Sequence, residues 1–225
     1  MLQISEQLKT AYPGGWIGEI VFKNVRVREA GEISLRKIKG DLEGSLRQKY
    51  RDFSRSDLIL LEPIKSYVTY YKQFKKTYHV LLQLESVIWK QKSIPNTIPL
   101  VIIMFMAELK NLLLTAGHDL DSIVLPIGAD LSKGNERYRL LKGMEKELPQ
   151  GDMMMTDRDG IISSIIYGPD NRTQITEDTN RVLYTVYAPP GIEEPLIREH
   201  FNDFIHYIHL VVPQAEMEEM AIHQL

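Results

Sequence analysis

Asp170, Asn171, Thr173 and Thr179 share one polar loop that leaves an apolar stretch through a Gly168-Pro169 corner. A carboxylate among hydroxyls can hold a ligand's amine or orient a water, and backbone N–H groups at a small-residue corner can stabilise an oxyanion. Loops held on a rigid scaffold are where sites tend to lie. The same composition also suits a solvated loop with capping threonines, and no histidine lies within it to act as base. A second pair, Asp119 and Asp121 around Leu120, puts two carboxylates on one side of an extended segment. Such a pair can do acid–base work, bind a cation or cap the next turn. His200, His206 and His209 crowd the C-terminal part of the chain, with Asp203 three residues before His206. Only His206 and His209 share a helical face, so they are read as surface histidines, and no metal is expected.

The elements that must position these residues follow from periodicity. Residues 153–156 and 161–167 are apolar and rich in β-branched side chains. They are separated by Asp157-Arg158-Asp159-Gly160, whose Asp-Gly pair predicts a hairpin turn. Residues 16–27 alternate as a strand after the Pro13-Gly14-Gly15 turn, and 31–57 are charge-rich and predicted helical. Glu62-Pro63 opens a long helical pattern that resumes through 84–89, with Tyr67, Val68, Tyr71, Phe74 and Tyr78 on one arc. Lys65, Lys72 and Lys76 form a row on one flank of that arc. Aromatics interleaved with lysines can bind nucleic acid, but this spacing equally makes the aromatics core and the lysines its solvated border. Residues 98–114 predict a buried helix, and 123–127 and 138–141 short strands. After Ala188-Pro189-Pro190-Gly191 comes a last helix, and the glutamate-rich tail is expected to fray. Helices gathered before short strands predict an α+β domain with a mixed β-sheet packed against helices.

Composition narrows the function. The 225 residues carry 44% hydrophobic and 25% charged side chains, ordinary for a soluble globular protein. The chain has no cysteine, which removes disulfides, thiolate metal sites and cysteine nucleophiles. The N-terminus lacks a charged segment followed by an apolar one, so no signal peptide is expected, and the longest apolar run is about half a membrane span. The expectation is a cytoplasmic protein without membrane contact. A net charge of −3 argues against strong sequence-blind nucleic-acid binding but leaves room for a local basic patch. None of the phosphate-loop, dinucleotide, nucleophile-elbow or zincin patterns occurs, and no cofactor is implied.

In their order, these features resemble the B3/B4 region of the phenylalanyl-tRNA synthetase β chain, and more closely free-standing B3/B4-domain proteins. The resemblance runs over about 50–209. It rests on Ser93-Ile94-Pro95-Asn96, Gly117 before Asp119-Leu120-Asp121, Leu140-Leu141-Lys142-Gly143, Gly151-Asp152, Asp157-Arg158-Asp159-Gly160, Gly168-Pro169-Asp170 and Thr179 before Val182-Leu183. It implies a B3/B4-like domain over 50–212, with 1–49 an N-terminal extension packed on it and 213–225 an acidic tail. In the synthetase this region hydrolyses tyrosine mischarged onto the phenylalanine tRNA. The implied partner is therefore tRNA or aminoacyl-tRNA, and the implied activity, if any, is trans-editing deacylation rather than ligation. The alternative is a non-catalytic module using the same pocket for an amino acid, a nucleotide or a protein partner.

The synthetase's Gly-Gly-acid element corresponds to Gly168-Pro169-Asp170, with proline for the second glycine and aspartate for glutamate. The synthetase places a histidine between a glycine and its Asp-Leu-Asp-like tract; here that interval is shorter, and His118 stands adjacent to both Gly117 and Asp119. The expected catalytic residues are Asp170 and Thr173. The expected substrate-binding residues are Gly117, His118, Asp119, Gly168, Asn171 and Thr179, with Lys65, Lys72 and Lys76 on RNA.

Overall fold

The computed structural model describes residues 2–225. The chain runs β1 (Leu2–Ile4), α1 (Glu6–Ala11), β2 (Trp16–Lys23), α2 (Glu29–Lys49), α3 (Arg55–Leu60), α4 (Glu62–Gln73), α5 (His79–Ile88) and α6 (Pro99–Asn111). Then follow β3 (Thr115–Asp119), a 3-10 turn (Leu120–Ser122), β4 (Ile127–Leu131), β5 (Arg137–Arg139), β6 (Glu145–Glu147), β7 (Met153–Asp157) and β8 (Gly160–Ser164). The last elements are β9 (Gly168–Pro169), β10 (Arg181–Ala188), α7 (Glu194–Val211) and β11 (Glu216–Gln224). One sheet has the order β1-β4-β7-β8-β9, a second the order β11-β2-β10-β3, and β5-β6 is a separate hairpin. β1 pairs with β4 in parallel and the other pairings are antiparallel, which makes the first sheet mixed. This is the α+β architecture expected.

Strand alternation places the two sheets' inner faces. Ala116 pairs with Thr185 and His118 with Leu183 on one face, while Thr115 and Gly117 look the other way. The first face meets the β7–β8 hairpin, where Thr185 reaches Met155 and the Tyr187 hydroxyl meets Ser163 Oγ. The other face takes α6 and α7, with the Tyr184 and Phe204 rings 4.4 Å apart.

The aromatic arc of α4 is core, and its hydroxyls tie the sheets to the helices. Tyr67 donates to Tyr187 O at 2.6 Å and accepts from Leu114 N at 3.0 Å. Tyr70 donates to Asp152 Oδ1 and accepts from Met153 N, both at 2.7 Å. Each pairing satisfies a buried backbone or carboxylate group that would otherwise be left without a partner.

Several elements differ from the sequence expectation. The long helix from Glu62 is two helices, because Lys75 takes a left-handed φ of 54° and returns the chain after Phe74. Thr115–Asp119 is a strand, and the strands expected at 123–127 and 138–141 begin later and earlier, at Ile127–Leu131 and Arg137–Arg139. The tail does not fray: Glu216–Gln224 pairs with β2 along its length. Residues 2–49 supply α1, α2 and β1, and also β2, which is paired on both sides in the second sheet. No helix among the described residues is long and apolar enough to cross a membrane.

Candidate functional site

A cleft of about 520 Å³ opens between the start of α5, one side of α6, the first residues of β3 and the β8–β9 corner. That volume suits an amino-acid-sized ligand. Val101, Met104 and Phe105 of α6 form one wall, and Ile165, Ile166 and Tyr167 form the opposite one. Gln174 and Ile175 from the polar loop close one side, and Leu141 at the tip of the β5–β6 hairpin overhangs another.

An acid and a histidine stand in these mostly apolar walls. Glu108, 1% exposed, is the acid of an otherwise apolar helix face. Its Oε1 accepts from Thr115 N at 2.8 Å. Burial pushes its carboxyl up to about 8 against that single N–H, which favours the protonated form at neutral pH. A bound ammonium would reverse this by pairing with the carboxylate. His79 lies at the first turn of α5, and burial lowers its imidazole to about 4. The Tyr71 hydroxyl donates to Ile165 O at 2.8 Å and lies 3.0 Å from His79 Nδ1. A hydroxyl has one proton, so Nδ1 must carry the hydrogen of that second contact. Nε2 is then a lone-pair acceptor on a ring that borders the cleft.

Gly117 makes room at the cleft floor. A Cβ there would stand 2.8 Å from Ile175 Cδ1 and 3.2 Å from Met104 Sδ. Gly117→Ala is expected to leave the fold cooperative and to weaken ligand binding about tenfold, because Ile175 and Met104 must move into the cleft. Parallel thermal melts and titrations of an L-amino acid amide check this; unchanged affinity would place the ligand away from the floor.

Of the residues expected from sequence, Gly117 and Gly168 border the cleft. Asp170, Thr173 and His118 do not; they are 4%, 0% and 0% exposed and form one internal chain behind the lining. Thr173 donates to Asp170 Oδ1 through both its N–H, at 3.1 Å, and its hydroxyl. His118 Nδ1 lies 2.7 Å from Thr173 Oγ1 and must donate, since the hydroxyl proton is already on Asp170. Burial, reinforced by the nearby Arg172 charge, lowers His118 to about 3 and keeps it neutral. Asp170 is therefore not on a ligand-facing rim. The reason is local: a buried turn must satisfy its own donors, and the Asp170 carboxylate takes two of them.

The rest of the loop is engaged in the same way. Asn171 N donates to Arg139 O at 3.0 Å, docking the β5–β6 hairpin. Asp119 Oδ2 accepts from Thr179 Oγ1 at 2.7 Å and Oδ1 from Asp121 N at 3.0 Å, so Asp119 caps the 3-10 turn. Arg172 grips Asp157 with two bonds of 2.8 and 2.9 Å, joining the loop to the β7–β8 turn.

The three lysines of the row differ in their surroundings. Lys65 is paired with Glu62 at 3.2 Å, Lys72 is exposed on α4, and Lys76 lies beyond the helix break, 5.6 Å from the centre of the Tyr167 ring. His200 is buried, with Nε2 2.8 Å from Thr115 Oγ1, whereas His206 and His209 are exposed. No group of three potential metal ligands occurs among the described residues.

Glu108 and His79 were not singled out by the sequence. The signal was present as a lone acid in the apolar run 98–114, but a helix period cannot tell an acid facing solvent from one facing a cleft.

The sequence model of one family, described as the B3/4 domain, matches residues 67–194, more than half of the chain. Among solved structures, an N-terminal fragment of the phenylalanyl-tRNA synthetase beta-subunit from Pyrococcus horikoshii is similar over 100% of this chain, with a TM-score of 0.53 and 11% identity. At that identity the likeness is one of fold, and the chain spans 54% of the fragment's length. No curated protein matches.

Proposed function

The chain belongs to the B3/4 domain family, and from that premise we propose that its cleft takes the aminoacyl group of a charged tRNA and hydrolyses the ester in trans. One observation carries the reading: Glu108 is a buried carboxyl with one hydrogen-bond donor, in a cleft whose walls are otherwise mostly apolar. Apolar walls suit an amino acid side chain, and a carboxylate suits the α-ammonium beside it. The ester is already activated, so a water held near its carbonyl suffices without a nucleophilic side chain.

In this reading the His79 Nε2 lone pair takes a proton as the water oxygen adds to the ester carbonyl carbon. The carbon–oxygen bond to the ribose then breaks, and the same proton goes to the departing ribose oxygen. Asp170, Thr173 and His118 act at one remove. They fix the loop that carries Gln174 and Ile175 and hold the end of β3 against it, where Asp119 N donates to Thr173 O at 2.8 Å.

The test is release of labelled amino acid from a panel of correctly and incorrectly charged tRNAs. Selective release is expected for the wild type, and His79→Gln is expected to slow it about a hundredfold with the fold retained. Binding of aminoacyl-tRNA with no release above the uncatalysed rate would contradict the hydrolytic step and leave a binding module.

A further inference from the structure

Two lysines with no carboxylate partner among the described residues sit on one ring at the edge of the cleft. Lys76 Nζ and Lys146 Nζ each lie 5.6 Å from the centre of Tyr167, a half-buried residue of the cleft wall. Separate parts of the chain bring them there. Lys76 follows the left-handed residue that ends α4, and its N–H donates back to Tyr71 O at 3.0 Å. This return bond closes the last turn and fixes where the side chain starts.

Lys146 is the middle residue of β6, opposite Tyr138, whose hydroxyl donates to Gly168 O at 2.8 Å. Strand alternation turns its neighbours Glu145 and Glu147 to the other face, opposite Arg139 and Arg137. There Glu147 is 2.7 Å from Arg137. The hairpin thus turns its acids away from Tyr167 and one cation toward it.

A ring face offsets part of the repulsion between two ammonium groups, but it neutralises neither. Two held cations at the mouth of an uncharged cleft suit an anion attached to whatever the cleft holds. We propose that Lys76, Tyr167 and Lys146 form a phosphate subsite that holds the phosphodiester beside the terminal nucleotide of the ligand. The location of that nucleotide rests on the aminoacyl reading above, whereas the phosphate chemistry rests on the lysine pair alone. The subsite separates a nucleotide-borne aminoacyl group, which engages cleft and rim, from a free amino acid, which engages the cleft only.

The experiment measures binding of the trinucleotide CCA, of adenosine and of an L-amino acid amide, each at low and high salt. The proteins are the wild type and the double variant Lys76→Ala/Lys146→Ala. The double variant is expected to lose CCA affinity about tenfold at low salt and to show a salt slope smaller by about 0.7 for each phosphate released. Adenosine and amide binding should be unchanged, which also confirms the fold. Equal CCA affinity in the two proteins, or no CCA binding by the wild type, would overturn the subsite. Lysine-dependent CCA binding without amide binding would leave the subsite standing and remove the aminoacyl reading. The reverse pattern would do the opposite.

Discussion

Glu108→Gln is expected to make the empty protein more stable at pH 8 while weakening its hold on an L-amino acid amide by at least about thirtyfold, the effect of truncating one partner of a buried charge pair. The two effects share one origin. The folded carboxyl titrates near 8 and the unfolded one near 4.5. Between those values the folded state binds more protons than the unfolded state, so stability falls as pH rises through the window. Asp152, with burial raising it to about 7 against the Tyr70 hydroxyl, adds a second loss of the same sign at slightly lower pH. Thermal melts from pH 6.5 to 8.5 should therefore decline in the wild type and decline less in Glu108→Gln. Three neutral histidines act in the opposite direction. His79, His118 and His200 are held at about 4, 3 and 3, so their contribution is present above the ordinary value of 6.5 and is lost as pH falls below it. An identical pH profile in wild type and Glu108→Gln would mean that Glu108 is ionised in the empty cleft.

Asp170→Ala is expected to lower stability by about 3 kcal/mol, because two buried donors of Thr173 lose their acceptor. For a chain of this length that is a fall in Tm of roughly 6–12 °C. Release of amino acid should fall with it, through displacement of the Gln174-Ile175 side of the cleft. Asp170→Asn keeps an acceptor oxygen for Thr173 and should recover most of both losses. That recovery separates positioning from direct chemistry. A carboxylate that binds substrate or moves a proton would show full loss of activity in Asp170→Asn with stability restored.

The fold was legible where local chemistry and tertiary packing agree. Asp157-Arg158-Asp159-Gly160 reads as a turn because Asp157 Oδ1 accepts from Asp159 N and Gly160 N within the same four residues. The apolar run that became α6 reads as a buried helix because nothing in it wants water except Glu108, Lys110 and Asn111. The break between α4 and α5 was not legible. It turns on Lys75 in a left-handed conformation normally marked by glycine, so no punctuating residue announced it. Thr115–Asp119 hides a strand because its pairing partner, β10, is remote in sequence and its own Gly117 suggests a break. The tail was misread because an edge strand rich in charge looks unstructured, although charge is what keeps such an edge from pairing with other chains.

The site was half legible for a related reason. Gly117 and Gly168 could be found because glycine records close approach at the first and a left-handed φ of 81° at the second, and both border the cleft. The hydrophilic loop at 170–179 drew attention through its composition, but most of its polar atoms are used up inside the loop and against β3. The acid and the histidine that border the cleft, Glu108 and His79, lie on helices, where a single such residue carries no signature. Which polar residues are already satisfied is a property of the packed structure and not of spacing.

The most direct test of the central claim is the proton balance of ligand binding. Calorimetric titration of an L-amino acid amide into the wild type at about pH 6.5, repeated in buffers of different ionisation enthalpy, counts the protons exchanged. A neutral Glu108 that pairs with an ammonium must give up its proton, so close to one proton should be released per ligand bound, and none in Glu108→Gln. Binding with no proton release by the wild type would contradict the assignment of Glu108 and, with it, the aminoacyl cleft.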